Sequence, residues 1–131
     1  EQMRREQISA MAEQLAKACP EVDGMQLIAR TFERPTEFVK DLAYNLRAKM
    51  PRLVLVAGSV AGGKATLTIM LGDEIVAAGA NASQVVRTAA KEINGGGGGQ
   101  PFFATAGGKS PEGMQKAIDV AVELIKNELN K

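Results

Sequence analysis

The stretch Leu53-Val-Leu-Val-Ala-Gly-Ser-Val-Ala-Gly-Gly-Lys64-Ala-Thr-Leu-Thr-Ile-Met-Leu71 admits two incompatible backbones, and the choice between them decides the fold. Gly58 to Lys64 matches the first seven positions of a phosphate-binding loop, and it follows an apolar strand. In such a loop the next residue is Ser or Thr, which holds magnesium, and a helix follows whose N-terminus faces phosphate. Here the next residue is Ala65. Beyond it the chain alternates, with Leu67, Ile69 and Leu71 on one side and Thr66 and Thr68 on the other, a strand pattern rich in β-branched residues. No apolar strand ending in Asp follows to supply a second magnesium ligand. The stretch therefore predicts a central strand over 53–57, covered on both faces, a Gly62-Gly63 hairpin turn, and a second strand over 65–71. Lys64 is expected to be solvated at the hairpin tip, and a nucleotide-binding loop is the least favoured alternative.

Working upstream, Pro51 stops a helix whose stripe is Val39, Leu42, Ala43, Leu46 and Met50, with Pro35 in its first turn. Met25–Phe32 reads as a strand, preceded by a turn at Asp23-Gly24. Residues 3–18 read as a helix with Ile8, Met11, Leu15 and Ala18 at three-four spacing, ended by Pro20. That helix either packs on its own domain or is the tail of a longer connecting or dimerising helix. The sequence opens at Glu1 inside a charged amphipathic run, so more helix is expected upstream. The expected division is a connecting helix over 1–20 and a globular domain over 21–131.

Downstream, Asp73 or Glu74 opens a short helix ending at Gly79. Ser83 is expected to cap a helix through Ile93, with Val85 or Val86, Ala89 and Ala90 inward. Ser110-Pro111-Glu112 reads as another helix start, and Met114, Ala117, Ile118, Ala121, Val122, Ile125 and Leu129 form its stripe. The order βαββ followed by helices predicts an α/β (α+β) fold, a small mixed sheet packed with helices.

The 131 residues carry a net charge of +1, so a nucleic-acid partner must be met by a local patch, not by bulk charge. No histidine is present, which excludes His-based acid–base catalysis, Ser–His and Cys–His nucleophiles and His-containing zinc sites. The single Cys19 cannot form an internal disulfide, which suits a reducing cytoplasm. No apolar run approaches transmembrane length, and no signal-peptide pattern opens the chain.

Five adjacent glycines, Gly95, Gly96, Gly97, Gly98 and Gly99, each cost about 0.5–1 kcal/mol relative to Ala when ordered. The run is either a flexible linker or a place where bare backbone is needed. The second reading is a loop whose successive N–H groups close around phosphate, aided by Lys109 and by the helix start at Ser110. Arg87 and Lys91 lie four apart on the helix leading in, as a solvated face or as phosphate contacts. Phe102 and Phe103 are expected to anchor the loop to the core rather than to stack on bases.

The stretch Ile93-Asn-Gly-Gly-Gly-Gly-Gly-Gln-Pro-Phe-Phe-Ala-Thr-Ala-Gly-Gly-Lys109 resembles the signature of the C-terminal domain of alanyl-tRNA synthetase. That domain belongs to the DHH-associated group, which it shares with DHH phosphoesterases acting on single strands and oligonucleotides. The resemblance implies that Gly95–Gly99, Gln100, Gly107, Gly108 and Lys109, with Arg87 and Lys91, form a tRNA-contacting loop. In the synthetases this domain holds the outer corner of tRNA, so that aminoacylation and editing modules share one tRNA-Ala, and in many bacterial members it helps the enzyme dimerise. Gln100 departs from the Arg common in the family, and no acidic residue stands near Phe102 or Phe103. The implied parent is an alanine–tRNA ligase in which ATP, Mg and Zn sites lie upstream; no cofactor and no catalytic residue is expected in this stretch. The alternative is the substrate-gripping domain of a DHH-type phosphoesterase, against which Ala104-Thr105-Ala106-Gly107-Gly108 favours the synthetase.

Overall fold

The computed structural model describes residues 2–22, 24–61 and 63–129, without the side chains of residues 2–4 and 61. In chain order the elements are α1 (Gln2–Ala18), β1 (Glu21–Val22), β2 (Met25–Phe32), α2 (Thr36–Lys49), β3 (Leu53–Ala61) and β4 (Lys64–Leu71). They continue with α3 (Asp73–Ala77), α4 (Ala82–Ala89), β5 (Gly95–Gly99), β6 (Phe103–Gly108) and α5 (Met114–Leu129). The six strands form one sheet in the order β1-β2-β3-β4-β6-β5, in which β2 and β3 are parallel and the other neighbours antiparallel. The mixed sheet packed with helices is the fold the pattern of elements predicts.

Alternation along β3 and β4 builds two cores. Val54 and Val56 join Leu67, Ile69 and Leu71 on one face, under α4 and α5. Leu53, Leu55, Ala57 and Met70 face the other way, under α2, with Ile8 and Ala12 of α1. Strand β3 is buried from Leu53 through Ser59, as its unbroken apolar run demands. On the α5 side Gly58 leaves room for Met114, since a Cβ there would lie 2.6 Å from the Met114 Sδ. α2 packs on β3 and β4, whereas β5 and β6 take their helix, α4, from the opposite face.

Several expectations need correction. The glycine run is not a loop: it is the edge strand β5, paired along its whole length with β6. Asn81, not Ser83, caps α4, its Oδ1 accepting from the Ser83 and Gln84 amides at 3.0 and 3.3 Å. Ser110 makes no side-chain cap; Pro111–Gly113 is a 3-10 turn, and the regular helix begins at Met114. The helix expected through Ile93 ends at Ala89 and continues as a 3-10 turn over Ala90–Ile93. Pro35 precedes the first turn of α2 instead of lying in it. On α1 it is Ala12 that is buried, while Ala18 is exposed. Gly24 and Gly63 have the positive φ (+81° and +78°) expected of their turns. Asp23 and Gly62, the other halves of those turns, lie outside the described residues.

Candidate nucleic-acid interface

The candidate interface is built on an edge strand without side chains. Pairing Gly95 with Gly108 through Gly99 with Ala104 fixes β5 against β6. The hairpin between them closes at Gln100 and Phe103, where the Gln100 amide donates to the Phe103 carbonyl at 2.8 Å. Three further bonds hold the hairpin and its exit: Ala82 N–H to the Pro101 carbonyl, Leu71 N–H to the Phe102 carbonyl, and Ser110 N–H to the Ile93 carbonyl. Phe102 lies under the Arg47 guanidinium, and Phe103 meets the Tyr44 ring at 5.2 Å. The two phenylalanines thus anchor the hairpin to the α2 core, as the sequence predicts.

The glycines divide by what a side chain would meet. A Cβ on Gly95, Gly97 or Gly99 would run into the backbone of β6, so pairing at this close approach requires glycine. A Cβ on Gly108 would strike the Ile93 carbonyl oxygen. Gly96 and Gly107 are different. They are cross-strand partners, both are exposed, neither has positive φ, and a Cβ on either would have nothing within 4 Å. The fold itself does not require glycine at these two positions.

The charged residues fall at both ends of this strand. Arg87 on α4 reaches it: a Cβ on Gly98 would lie 3.7 Å from the Arg87 Nε and Nη2. Lys91 is exposed in the 3-10 turn just before the run. Lys109 is exposed beyond the far end of β6, at the Gly95 end of β5. Gln100 sits at the other end, five residues or about 17 Å away at strand rise. The expected residues therefore line one edge rather than close around a point. Asn94, in left-handed conformation (φ 52°), ends the 3-10 turn, and its N–H is taken by the Lys91 carbonyl at 3.2 Å. That hydrogen bond closes the turn on itself.

Lys64 is exposed at the hairpin tip, as the sequence predicts; what the sequence does not show is its neighbour across the sheet. With Ala65 paired to Gly108, the residues just outside that pair, Lys64 and Lys109, end neighbouring strands. With Thr66, Asn94, Gly95 and Gly107 they line a shallow concavity of about 380 Å³. The chain after Lys64 is strand, not helix, so the nucleotide-binding loop is excluded by the backbone that follows it. Among the described residues no group of three or more His, Cys, Asp or Glu side chains could hold a metal. No described helix is long and apolar enough to cross a membrane.

The DHHA1 domain matches residues 23–127, the whole sheet from β2 onward with its helices. The chain belongs to the DHHA1 domain family. Among curated relatives of this DHHA1 chain, the alanine–tRNA ligase of Bacteroides fragilis is 43% identical over 125 residues, 95% of this chain and 14% of that protein. The alanine–tRNA ligase of Bacteroides thetaiotaomicron is 44% identical over 125 residues, with the same coverage of each. The chain thus spans about 14% of the length of these curated relatives. A solved structure, the C-Ala domain from Aquifex aeolicus alanyl-tRNA synthetase, matches with a TM-score of 0.66 at 33% identity. That match covers 80% of this chain and 91% of the other. The DHHA1 fold seen here is the C-Ala fold.

Proposed function

We propose that this chain is the tRNA-binding C-terminal domain of a cytoplasmic alanine–tRNA ligase, laying its glycine edge strand along the sugar-phosphate backbone at the outer corner of tRNA-Ala. The family supports the parent enzyme, and the paired glycines Gly96 and Gly107 carry the interface. Their bareness has no structural cause, so it is explained by a ligand backbone that approaches the strand more closely than a side chain would allow. Gly95–Gly99, Gln100, Gly107, Gly108, Lys109, Arg87 and Lys91 form this edge, which keeps one tRNA within reach of aminoacylation and editing domains elsewhere in the enzyme. ATP, Mg and Zn belong to those domains, and the chain alone catalyses nothing. Self-association of the enzyme through α1 is part of the same reading.

The test is Gly96→Val, alone and with Gly107→Val, titrated with a tRNA-Ala transcript. Both variants should fold, by circular dichroism and melting temperature, and should bind about tenfold or more weaker. Unchanged affinity in the folded double variant overturns the reading.

A further inference from the structure

We propose that Lys64 and Lys109 together seat one backbone phosphate of the bound RNA, with Lys64 at the tip of the β3–β4 hairpin supplying the second charge. The proposal rests on the nucleic-acid reading above and adds a residue to it. Pairing of Ala65 with Gly108 brings the two lysines to the ends of adjacent strands, about 4.8 Å apart in the sheet. Both are exposed, and both line the concavity together with Thr66, Asn94, Gly107 and Gly108.

Two features select an anion. None of the residues lining this concavity is a carboxylate, and neither lysine has an ion-pair partner among the described residues. Two ammonium groups reaching into one concavity repel each other, and a phosphate between them offsets that repulsion. Gly107, where a Cβ would meet nothing within 4 Å, lets a phosphate oxygen come down to the peptide plane, and the Thr66 hydroxyl beside it offers a donor. The concavity is shallow, which suits one phosphodiester of a passing strand.

The experiment titrates the chain with a tRNA-Ala transcript at several salt concentrations, comparing wild type, Lys64→Gln, Lys64→Arg and Gly96→Val. Lys64→Gln should weaken binding several-fold and lower the log–log salt slope by about 0.7–0.9, the value of one lost phosphate contact. Lys64→Arg should restore both. An unchanged slope in Lys64→Gln, with Gly96→Val still weakening binding, removes Lys64 from the interface and leaves the glycine edge standing. Absence of binding by wild type overturns both readings. Oligoribonucleotides with a 5′-phosphate and a 5′-hydroxyl should bind alike. A preference for the 5′-phosphate that Lys64→Gln abolishes would assign the seat to a chain end and overturn the backbone assignment.

Discussion

The Asn94 side-chain amide donates to the Ser110 hydroxyl at 2.6 Å, tying the residue that opens the glycine strand to the turn that leads into α5. Ser110 makes no side-chain cap, and the chain passes through a 3-10 turn before α5 becomes regular. Asn94 serves twice, since its left-handed φ of 52° also ends the preceding 3-10 turn. Asn94→Ala should lose the hydrogen bond and strain the backbone, at about 1–3 kcal/mol together. Ser110→Ala should cost only the bond, about 0.5–1.5 kcal/mol. Asn94→Gly should fall nearer to Ser110→Ala, because glycine takes the left-handed conformation freely. Urea unfolding of the three variants checks the order; equal losses in Asn94→Ala and Asn94→Gly would show that φ carries no strain.

A second prediction separates two glycines that sit side by side in β5. At Gly97 a Cβ would lie 2.8 Å from the Ala106 Cβ and would press on the Thr105 carbonyl, so Gly97→Ala must push β5 off β6. A loss of about 1–3 kcal/mol is expected, as for overpacking elsewhere, and Gly97→Val should be worse. Gly96→Ala meets open space and should be neutral or stabilising by up to about 1 kcal/mol. Thermal melts of the two single variants decide this. A sequence reading that makes the run a loop gives the opposite expectation for Gly97→Val, namely a fold left intact.

That difference shows where the sequence is legible. Met25–Phe32, the α2 stripe and the β3–β4 hairpin were readable because each announces itself by a local period of side chains. A run of five glycines has no side chains and hence no period, so only its pairing with β6 reveals a strand. Lys64 and Lys109 are distant in the chain, and their meeting depends on β4 lying beside β6, a sheet order that no local pattern encodes. Asn81 and Ser83 are both good cap residues two positions apart, and propensity does not rank them. The family signature, by contrast, was readable in full, because it is a string and not a geometry.

Cys19 offers a prediction about pH. Its thiol is half-buried and points at the Leu27 carbonyl at 3.4 Å, to which it can donate only while protonated. Burial pushes its pKa up, and the nearby Glu21 carboxylate pushes it further the same way. Alkylation by iodoacetamide should therefore be slower than for an unhindered thiol, with its midpoint at higher pH, and should return to normal in urea. The linked stability is present below the unfolded thiol's pKa and is lost as pH rises through the folded one. Identical alkylation profiles with and without urea would refute the burial argument.

The last prediction concerns Arg87 and Lys91, which approach the glycine strand from α4 and from the turn after it. Arg87 lies beside Gly98 and makes no ion pair among the described residues, so its charge is available to a ligand passing along β5. Reversing both charges, Arg87→Glu with Lys91→Glu, puts carboxylates where phosphates would lie. Affinity for tRNA should drop by at least tenfold, and the log–log salt slope should fall by about 1.4–1.8 for two lost contacts. Selectivity should hardly change. Contacts to phosphate and sugar carry no base information, so wild type and variant should each bind several elongator tRNAs within about tenfold of one another. Titrations of two or three tRNAs at two salt concentrations measure both quantities at once. If one tRNA is preferred a hundredfold by wild type, base edges are being read and the backbone account of this edge is wrong; if the slope is unchanged in the folded double variant, Arg87 and Lys91 face only water.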